Sequence, residues 1–324
     1  MATIDILNIE PSVIDRSLSG KTVLLAGSPK IGKSEFCSQS PQTLIIDLEN
    51  GYNAHPGVTA VQVTRWAEVK RILKQLETPE AKEKYKNIAI DTLSEFWELC
   101  TTFICNQAGV QKIGDIPYGG GYKARDEEFA KVLRRIIMLN YGLILTCHIK
   151  ERVIGTENDI DIISLAPDLE KRCLPIVNGL VDIIGVIYQT WNEDGQSERW
   201  LITKATPTIT AGSRWPNLAP KIPFGYDNLE KAIADAIAEA EKGGAKVVDH
   251  VERDTTEELD YADIRKEAYE LWTKLIEENP ANAEIIAKKV EMIFGRRLKL
   301  SEITEDQVSL FELVLLEMRE LASK

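Results

Sequence analysis

Residues 27–34 read Gly-Ser-Pro-Lys-Ile-Gly-Lys-Ser, a complete G-x-x-x-x-G-K-S octet. The apolar, β-prone run Thr22-Val23-Leu24-Leu25-Ala26 precedes it, and Ser34-Glu35-Phe36-Cys37 after it can open a helix. A buried strand that turns through glycines straight into a helix is the start of an α/β unit, so this octet constrains the fold more than any other feature. Gly27 and Gly32 let the backbone turn tightly and aim its N–H groups inward, where they and the helix start cradle phosphates. Lys33 reaches the β- and γ-phosphates, and the Ser34 hydroxyl binds Mg²⁺. The residues expected around the nucleotide are Gly27, Ser28, Pro29, Lys30, Ile31, Gly32, Lys33, Ser34 and Glu35. ATP and Mg²⁺ are the expected cofactors.

From Gly20 onward apolar strand-like runs alternate with helical patterns, as a mostly parallel sheet requires. Leu44-Ile45-Ile46-Asp47, Ile88-Ala89-Ile90-Asp91 and Gly142 to His148 read as further strands. Thr64 caps a helix whose Trp66, Val69, Ile72, Leu73 and Leu76 share one face. Leu93 to Gln107 is an apolar helix, and a Gly-rich loop, residues 118–122, precedes another helix through Leu139. Polar residues 150–172 read as a long loop. Val181 to Gln189 and Arg199 to Lys204 read as later strands joined around Glu193-Asp194-Gly195, and Leu229 to Glu241 as a helix. Three helical patterns close the chain: Tyr261 to Glu278, Ala281 to Phe294 and Glu305 to Leu321. The expected organisation is an arm at 1–18, an ATPase core at 19–242, an acidic linker at 243–260 and a helical domain at 261–324.

Composition excludes several classes. With 51 acidic against 39 basic residues the net charge is −12, which argues against a generally basic nucleic-acid coat but leaves room for a local basic groove. No apolar run approaches the ~20 residues of a membrane span, and no signal peptide is visible, so the expectation is a cytoplasmic protein without a membrane partner. Cys37, Cys100, Cys105, Cys147 and Cys173 lack zinc-ligand spacing and read as reduced core residues.

Chemistry beyond the loop falls on strand ends. Asp91 ends an apolar strand, where the carboxylate that holds Mg²⁺ belongs. Asp47 and Glu49 end the neighbouring strand, where open α/β sites assemble, and either can activate water. His148 ends a further strand, where a γ-phosphate sensor would sit. Lys33, Glu49 and His148 are thus the catalytic candidates, and Ser34 and Asp91 the metal candidates. Tyr118 and Tyr122 flank three glycines, with Lys112, Lys123 and Arg125 nearby, and Lys150 and Arg152 follow His148. Such aromatic and basic residues suit single-stranded DNA through stacking and phosphate contacts. Lys204 and Arg214 are candidates for charge-stabilising fingers that reach a neighbouring subunit's nucleotide.

Taken in order, Gly27–Ser34, Leu44-Ile-Ile-Asp-Leu-Glu49, Ile88-Ala-Ile-Asp91 and Leu145-Thr-Cys-His148 resemble a RecA-type ATPase core. The chain resembles the phage-encoded RecA-like proteins of the Sak-type single-strand annealing group. The resemblance covers roughly residues 19–240 and implies a RecA-like P-loop NTPase core of α/β class with a mostly parallel sheet. It implies that Glu49 activates water and that His148 stands where RecA has a glutamine. It also implies that residues 110–123 and 150–172 are DNA-binding loops. The expected protein is a phage recombination ATPase of the bacterial host cytoplasm, DNA-stimulated, promoting annealing or strand pairing. Its expected partners are single-stranded DNA, further copies of itself in a ring or filament, and a phage single-strand-binding protein. The alternatives are a replication accessory of helicase-loader type and a nucleotide-gated interaction protein with negligible hydrolysis.

Overall fold

The computed structural model describes residues 14–15, 20–157, 160–244, 247–248 and 261–322. The expected arm at 1–18 and linker at 243–260 lie mostly outside them. The chain divides into two compact units, Met1–Arg253 and Asp254–Lys324.

In the first unit the order is β1 (Ile14–Asp15), β2 (Thr22–Ala26), α1 (Lys33–Gln39), β3 (Thr43–Asp47), β4 (Thr59–Gln62), α2 (Trp66–Leu76), α3 (Pro79–Lys84), β5 (Asn87–Asp91), α4 (Leu93–Ala108) and α5 (Gly120–Met138). There follow β6 (Gly142–Cys147), β7 (Ile149–Glu157), β8 (Ile160–Pro167), α6 (Cys173–Leu180), β9 (Ile183–Trp191), β10 (Ser197–Ile202), β11 (Gly212–Ser213), β12 (Lys221–Pro223), α7 (Tyr226–Lys242) and β13 (Val247–Val248). A nine-stranded sheet runs β12-β10-β9-β2-β6-β5-β3-β4, with β11 on β9. The strands from β9 to β4 are parallel to one another, β10 and β11 pair antiparallel with β9, and β12 pairs antiparallel with β10. The fold is therefore α/β with a mostly parallel sheet. β1 and β13 make a separate parallel pair.

Both faces of this sheet are covered, which explains why its central strands are continuous apolar runs. Along β2, Leu24 and Ala26 enter one core and Val23 and Leu25 the other. β5 divides in the same way, Ile88 and Ile90 against Ala89. The first core is walled by an aromatic cluster from α2, α4 and α5, with Trp66 and Phe96 4.8 Å apart and Trp97 edge-on to Phe129 at 4.7 Å. The second is walled by Phe36 of α1 and by Leu229 and Ile233 of α7. Each such side chain contributes about 1.5–3 kcal/mol on burial.

Two segments differ from expectation. Residues 150–172 hold an antiparallel hairpin, β7–β8, with a register shift at Ile154. Polar residues dominate this stretch and hide the β-branched ones between them. Leu165 fastens the hairpin's base, its N–H donating to Thr208 O at 2.7 Å and its carbonyl accepting from Thr210 N at 2.9 Å. The Gly-rich stretch is likewise ordered: Pro117–Gly119 form a 3₁₀ turn, and Gly120 and Gly121 already belong to α5. A Cβ on Gly121 would meet Ile113 O at 2.7 Å, so glycine here serves close packing. β4, α3 and α6 have no counterpart in the sequence reading. β4 is an edge strand with little burial, and its short Thr-Ala-Val-Gln run carries no clear period.

The second unit holds α8 (Tyr261–Glu278), α9 (Asn282–Phe294) and α10 (Val308–Ala322). They bury Ile264, Leu275, Ile286, Val290, Phe311 and Val314 in a core of their own. All three helices match the apolar periodicity read from the sequence.

Candidate nucleotide-binding site

The parallel strands deliver their C-terminal ends to one edge. β2 runs into the loop at Gly27, β6 ends beside it at Cys147 with Ala26 and Cys147 in register, and β5 ends at Asp91, opposite Asp47 of β3. Because β6 lies between β2 and β5, His148 arises between the loop and Asp91. Gly32 adopts φ +111°, a conformation that side-chain-bearing residues rarely take.

Lys33 is buried, its Nζ donating to Gly27 O at 2.8 Å and Ser28 O at 3.0 Å and lying 3.4 Å from His148 Nδ1. Burial pulls its pKa below the ordinary lysine value, and Asp91 opposes that shift. Asp91 is 4 % exposed and accepts from Ser34 Oγ at 2.7 Å, Tyr52 OH at 2.6 Å and the Thr146 hydroxyl. Burial, reinforced by Cys37 and Asp91, pushes the Tyr52 pKa up, so Tyr52 stays a neutral donor. The Asp91–Thr92 peptide is cis.

Glu49 and His148 face each other, Oε1 to Nε2, at 3.7 Å and are 42 % and 34 % exposed. Thr92 Oγ1 donates to the same Glu49 oxygen at 2.8 Å. Asp47 is used differently. It is buried, and its Oδ1 accepts from the backbone N–H groups of Glu49 at 3.1 Å and Gly51 at 3.2 Å. Asp47 thus shapes the turn that presents Glu49. The two acids do not stand side by side as strand alternation suggests, because β3 ends at Asp47 and the chain turns.

Lys33, Ser34, Glu49, Asp91 and His148 therefore converge. A hydroxyl beside a carboxylate is an oxygen donor pair suited to Mg²⁺ that is also held by substrate phosphates. Among the described residues no group of three or more His, Cys, Asp or Glu could hold a metal without such help. The residues present fit Mg²⁺ with a nucleoside triphosphate.

The other expected residues lie apart from this cluster. Arg214 donates to Asp182 Oδ1 at 3.1 Å and Gly179 O at 2.7 Å, and Lys204 is exposed just beyond β10. Lys112 and Tyr118 are exposed, Tyr118 fully so. Arg125 departs from its expected role as a phosphate contact. It is 4 % exposed, stacked 4.0 Å from the Trp97 ring centroid and bonded to Asp126 at 3.2 Å and Glu170 at 3.4 Å. Its place one helical turn beyond Gly121 turns it into the core. Tyr122 is half-buried against Arg125 and Arg172. Lys123 and Lys150 reach Glu127 and Asp168, each at 3.7 Å, and Arg152 is exposed on β7. The five cysteines are all buried and free, and burial raises the Cys147 pKa to about 12. No helix among the described residues is long and apolar enough to cross a membrane.

Sequence reasoning missed Tyr52, Thr92, Thr146 and Arg199, which touch Asp91, Glu49 or the loop. Thr92 and Thr146 adjoin strand ends already singled out, a signal that could have found them. Tyr52 and Arg199 had none.

The chain is 29 % identical over 335 residues to the SPbeta prophage-derived uncharacterized protein YorG of Bacillus subtilis (strain 168), covering 99 % of each chain. A KaiC-like protein of Pyrococcus horikoshii OT3 aligns with 64 % of this chain and 86 % of its own, at 13 % identity and a TM-score of 0.35. An AAA domain model matches residues 19–215, which span the loop, every strand end of the site and the hairpin. The chain belongs to the AAA domain family and is a P-loop NTPase.

Proposed function

We propose that this protein is an ATP-hydrolysing phage recombination protein that binds single-stranded DNA and promotes annealing or strand pairing. In this reading Lys33 leaves the Gly27 and Ser28 carbonyls for the β- and γ-phosphates. Ser34 and Asp91 hold Mg²⁺, which supplies charge neutralisation on the phosphoryl oxygens when bound. Glu49, fixed by Thr92, orients the attacking water, and His148 senses the γ-phosphate from between Glu49 and Lys33.

The observation that carries the reading is the position of His148. It stands within 3.7 Å of both Lys33 and Glu49, and the next residue begins the β7–β8 hairpin. That hairpin presents Lys150 and Arg152 with exposed Val153, Ile154 and Ile163. A change at the γ-phosphate therefore has a direct covalent route to a surface with charge and apolar area for a strand of DNA. The similarity to a prophage-derived protein supports a phage origin and, with it, work in the host cytoplasm. DNA binding by a ring or filament of copies, aided by a single-strand-binding protein, follows from the same reading. In it, Lys204 and Arg214 are the groups that would reach a neighbouring copy's nucleotide.

The test is ATP turnover with and without single-stranded DNA, alongside annealing of complementary oligonucleotides. Stimulation of both is expected. A separate helical unit exposing Trp272, Met292 and Leu313 favours a second reading, an accessory ATPase of replication. Turnover raised by a replication protein and not by DNA would select it, and binding without turnover would select a nucleotide-gated interaction protein.

A further inference from the structure

Arg199 lies in β10, 168 residues along the chain from Ile31, yet its guanidinium rests on the phosphate-binding loop. Its Nη1 donates to Ile31 O at 2.9 Å and to Glu35 Oε2 at 3.0 Å. The guanidinium carbon sits 5.4 Å from the centre of the Phe224 ring, which stacks on Phe36 of α1 at 5.6 Å. A Cβ on Gly32 would come within 2.3 Å of the same Nη1. The guanidinium thus occupies the space that Gly32 leaves open and meets the loop at residues 31 and 32 and the first turn of α1 at Glu35.

These contacts act on nucleotide binding in two ways. The bond to Ile31 O is charge-assisted and ties down a carbonyl on the turn that shapes the cradle. Glu35 follows Lys33 and Ser34 directly, so its carboxylate, if unpaired, would repel a polyphosphate bound at the start of α1. Pairing with Arg199 neutralises that charge and holds it towards β10. Phe224, itself stacked on Phe36, flanks the guanidinium beside the loop.

We propose that Arg199 is a positioning residue for the phosphate-binding loop, fixing the Ile31–Gly32 turn and neutralising Glu35 so that a nucleoside triphosphate meets a preformed, cationic cradle. The inference rests on the nucleotide-binding reading above and names a residue of that site which no motif reveals.

The experiment measures Mg²⁺·ATP affinity by titration calorimetry and turnover at saturating ATP, for wild type, R199A, R199Q and R199A/E35Q. The R199A protein should bind ATP about tenfold more weakly, the size of one lost hydrogen bond to a charged group. Its turnover at saturation should stay within about threefold, because Arg199 touches no reacting atom. R199Q keeps an amide donor for Ile31 and should fall between. Adding E35Q to R199A should recover several-fold of the lost affinity, a rescue that mere loss of packing would not allow. Arg199 is 39 % exposed, so the fold should survive its replacement, and R199Q gives the same reading if R199A does not fold. Affinity of R199A within twofold of wild type, no recovery in the double variant, or a collapse of turnover with affinity intact would each overturn the role. Wild-type protein that binds no ATP would overturn the nucleotide reading itself, whereas wild-type binding lost in K33A but unchanged in R199A would overturn only this inference.

Discussion

The site divides its labour among residues that differ by a few ångströms. Lys33 is the loop cation that is buried and lies beside His148, so Lys33→Ala should abolish ATP binding in a calorimetric titration. Glu49 touches Thr92 and His148 but not Ser34, while Asp91 holds Ser34, Tyr52 and Thr146. Glu49→Gln should therefore leave ATP affinity near wild type and slow turnover by about 10²–10⁴-fold, the usual cost of a lost general base. Asp91→Asn should instead weaken Mg²⁺-dependent binding itself, so turnover and affinity measured on both variants tell the roles apart. Lys33 also sets a pH dependence. Burial lowers its pKa, so the free protein begins to lose that proton below the ordinary value of 10.5, and bound phosphates draw it back. ATP affinity should fall as pH rises through the lowered value. Calorimetry in buffers of different ionisation enthalpy should then show proton uptake on binding, and its absence at alkaline pH would refute this assignment.

The hairpin β7–β8 and the helix α5 divide the residues that looked suited to DNA into two kinds. Arg152 is exposed on the hairpin and available to phosphates. Arg125 is committed to Asp126, Glu170 and the face of Trp97. Removing Arg125 would strip a buried guanidinium from the face of Trp97 and from Glu170, while Arg172 still holds Asp126 at 2.6 Å, so Arg125→Ala should destabilise the first unit by roughly 2 kcal/mol, the size of a lost hydrogen bond to a charged group. The readout is a denaturant midpoint. Replacing Lys150 and Arg152 by Ala should leave that midpoint nearly unchanged. If the hairpin tracks a DNA backbone, it should also flatten the dependence of log affinity on log salt by one to two phosphate contacts. An unchanged slope would move the DNA elsewhere.

At the scale of the molecule the two units have separate cores and separate vulnerabilities. The helical unit of residues 254–324 is small, and so small a core supplies only a few kcal/mol of net stability. Phe311 is fully buried in it, and Phe311→Ala should cost about 3–5 kcal/mol, enough to unfold that unit. Circular dichroism should lose the signal of α8, α9 and α10 while calorimetric ATP binding by the first unit persists. Loss of ATP binding together with the helical signal would mean that the units fold as one. The net charge of −12 opposes indiscriminate adhesion to nucleic acid, so any DNA affinity must come from a local surface such as the hairpin.

By itself the sequence determined what depends on neighbours along the chain. Gly27–Ser34, the apolar strands that lead to Asp91 and His148, and the periodic helices α8, α9 and α10 were legible because glycine torsions, continuous apolar runs and 3.6-residue periods are local properties. Tertiary structure decided whatever depends on who meets whom. Asp47 and Glu49 read as equivalent acids until the end of β3 turned one into the backbone and the other toward His148. Arg125 and Arg152 are both cations in a polar context, yet the facing of α5 buries one and the hairpin exposes the other. Arg199 reaches the loop only because β10 pairs with β9, which itself lies beside β2. A sheet assembled from strands far apart in the chain brings such residues together through burial and backbone hydrogen bonds, and no local spacing encodes the meeting.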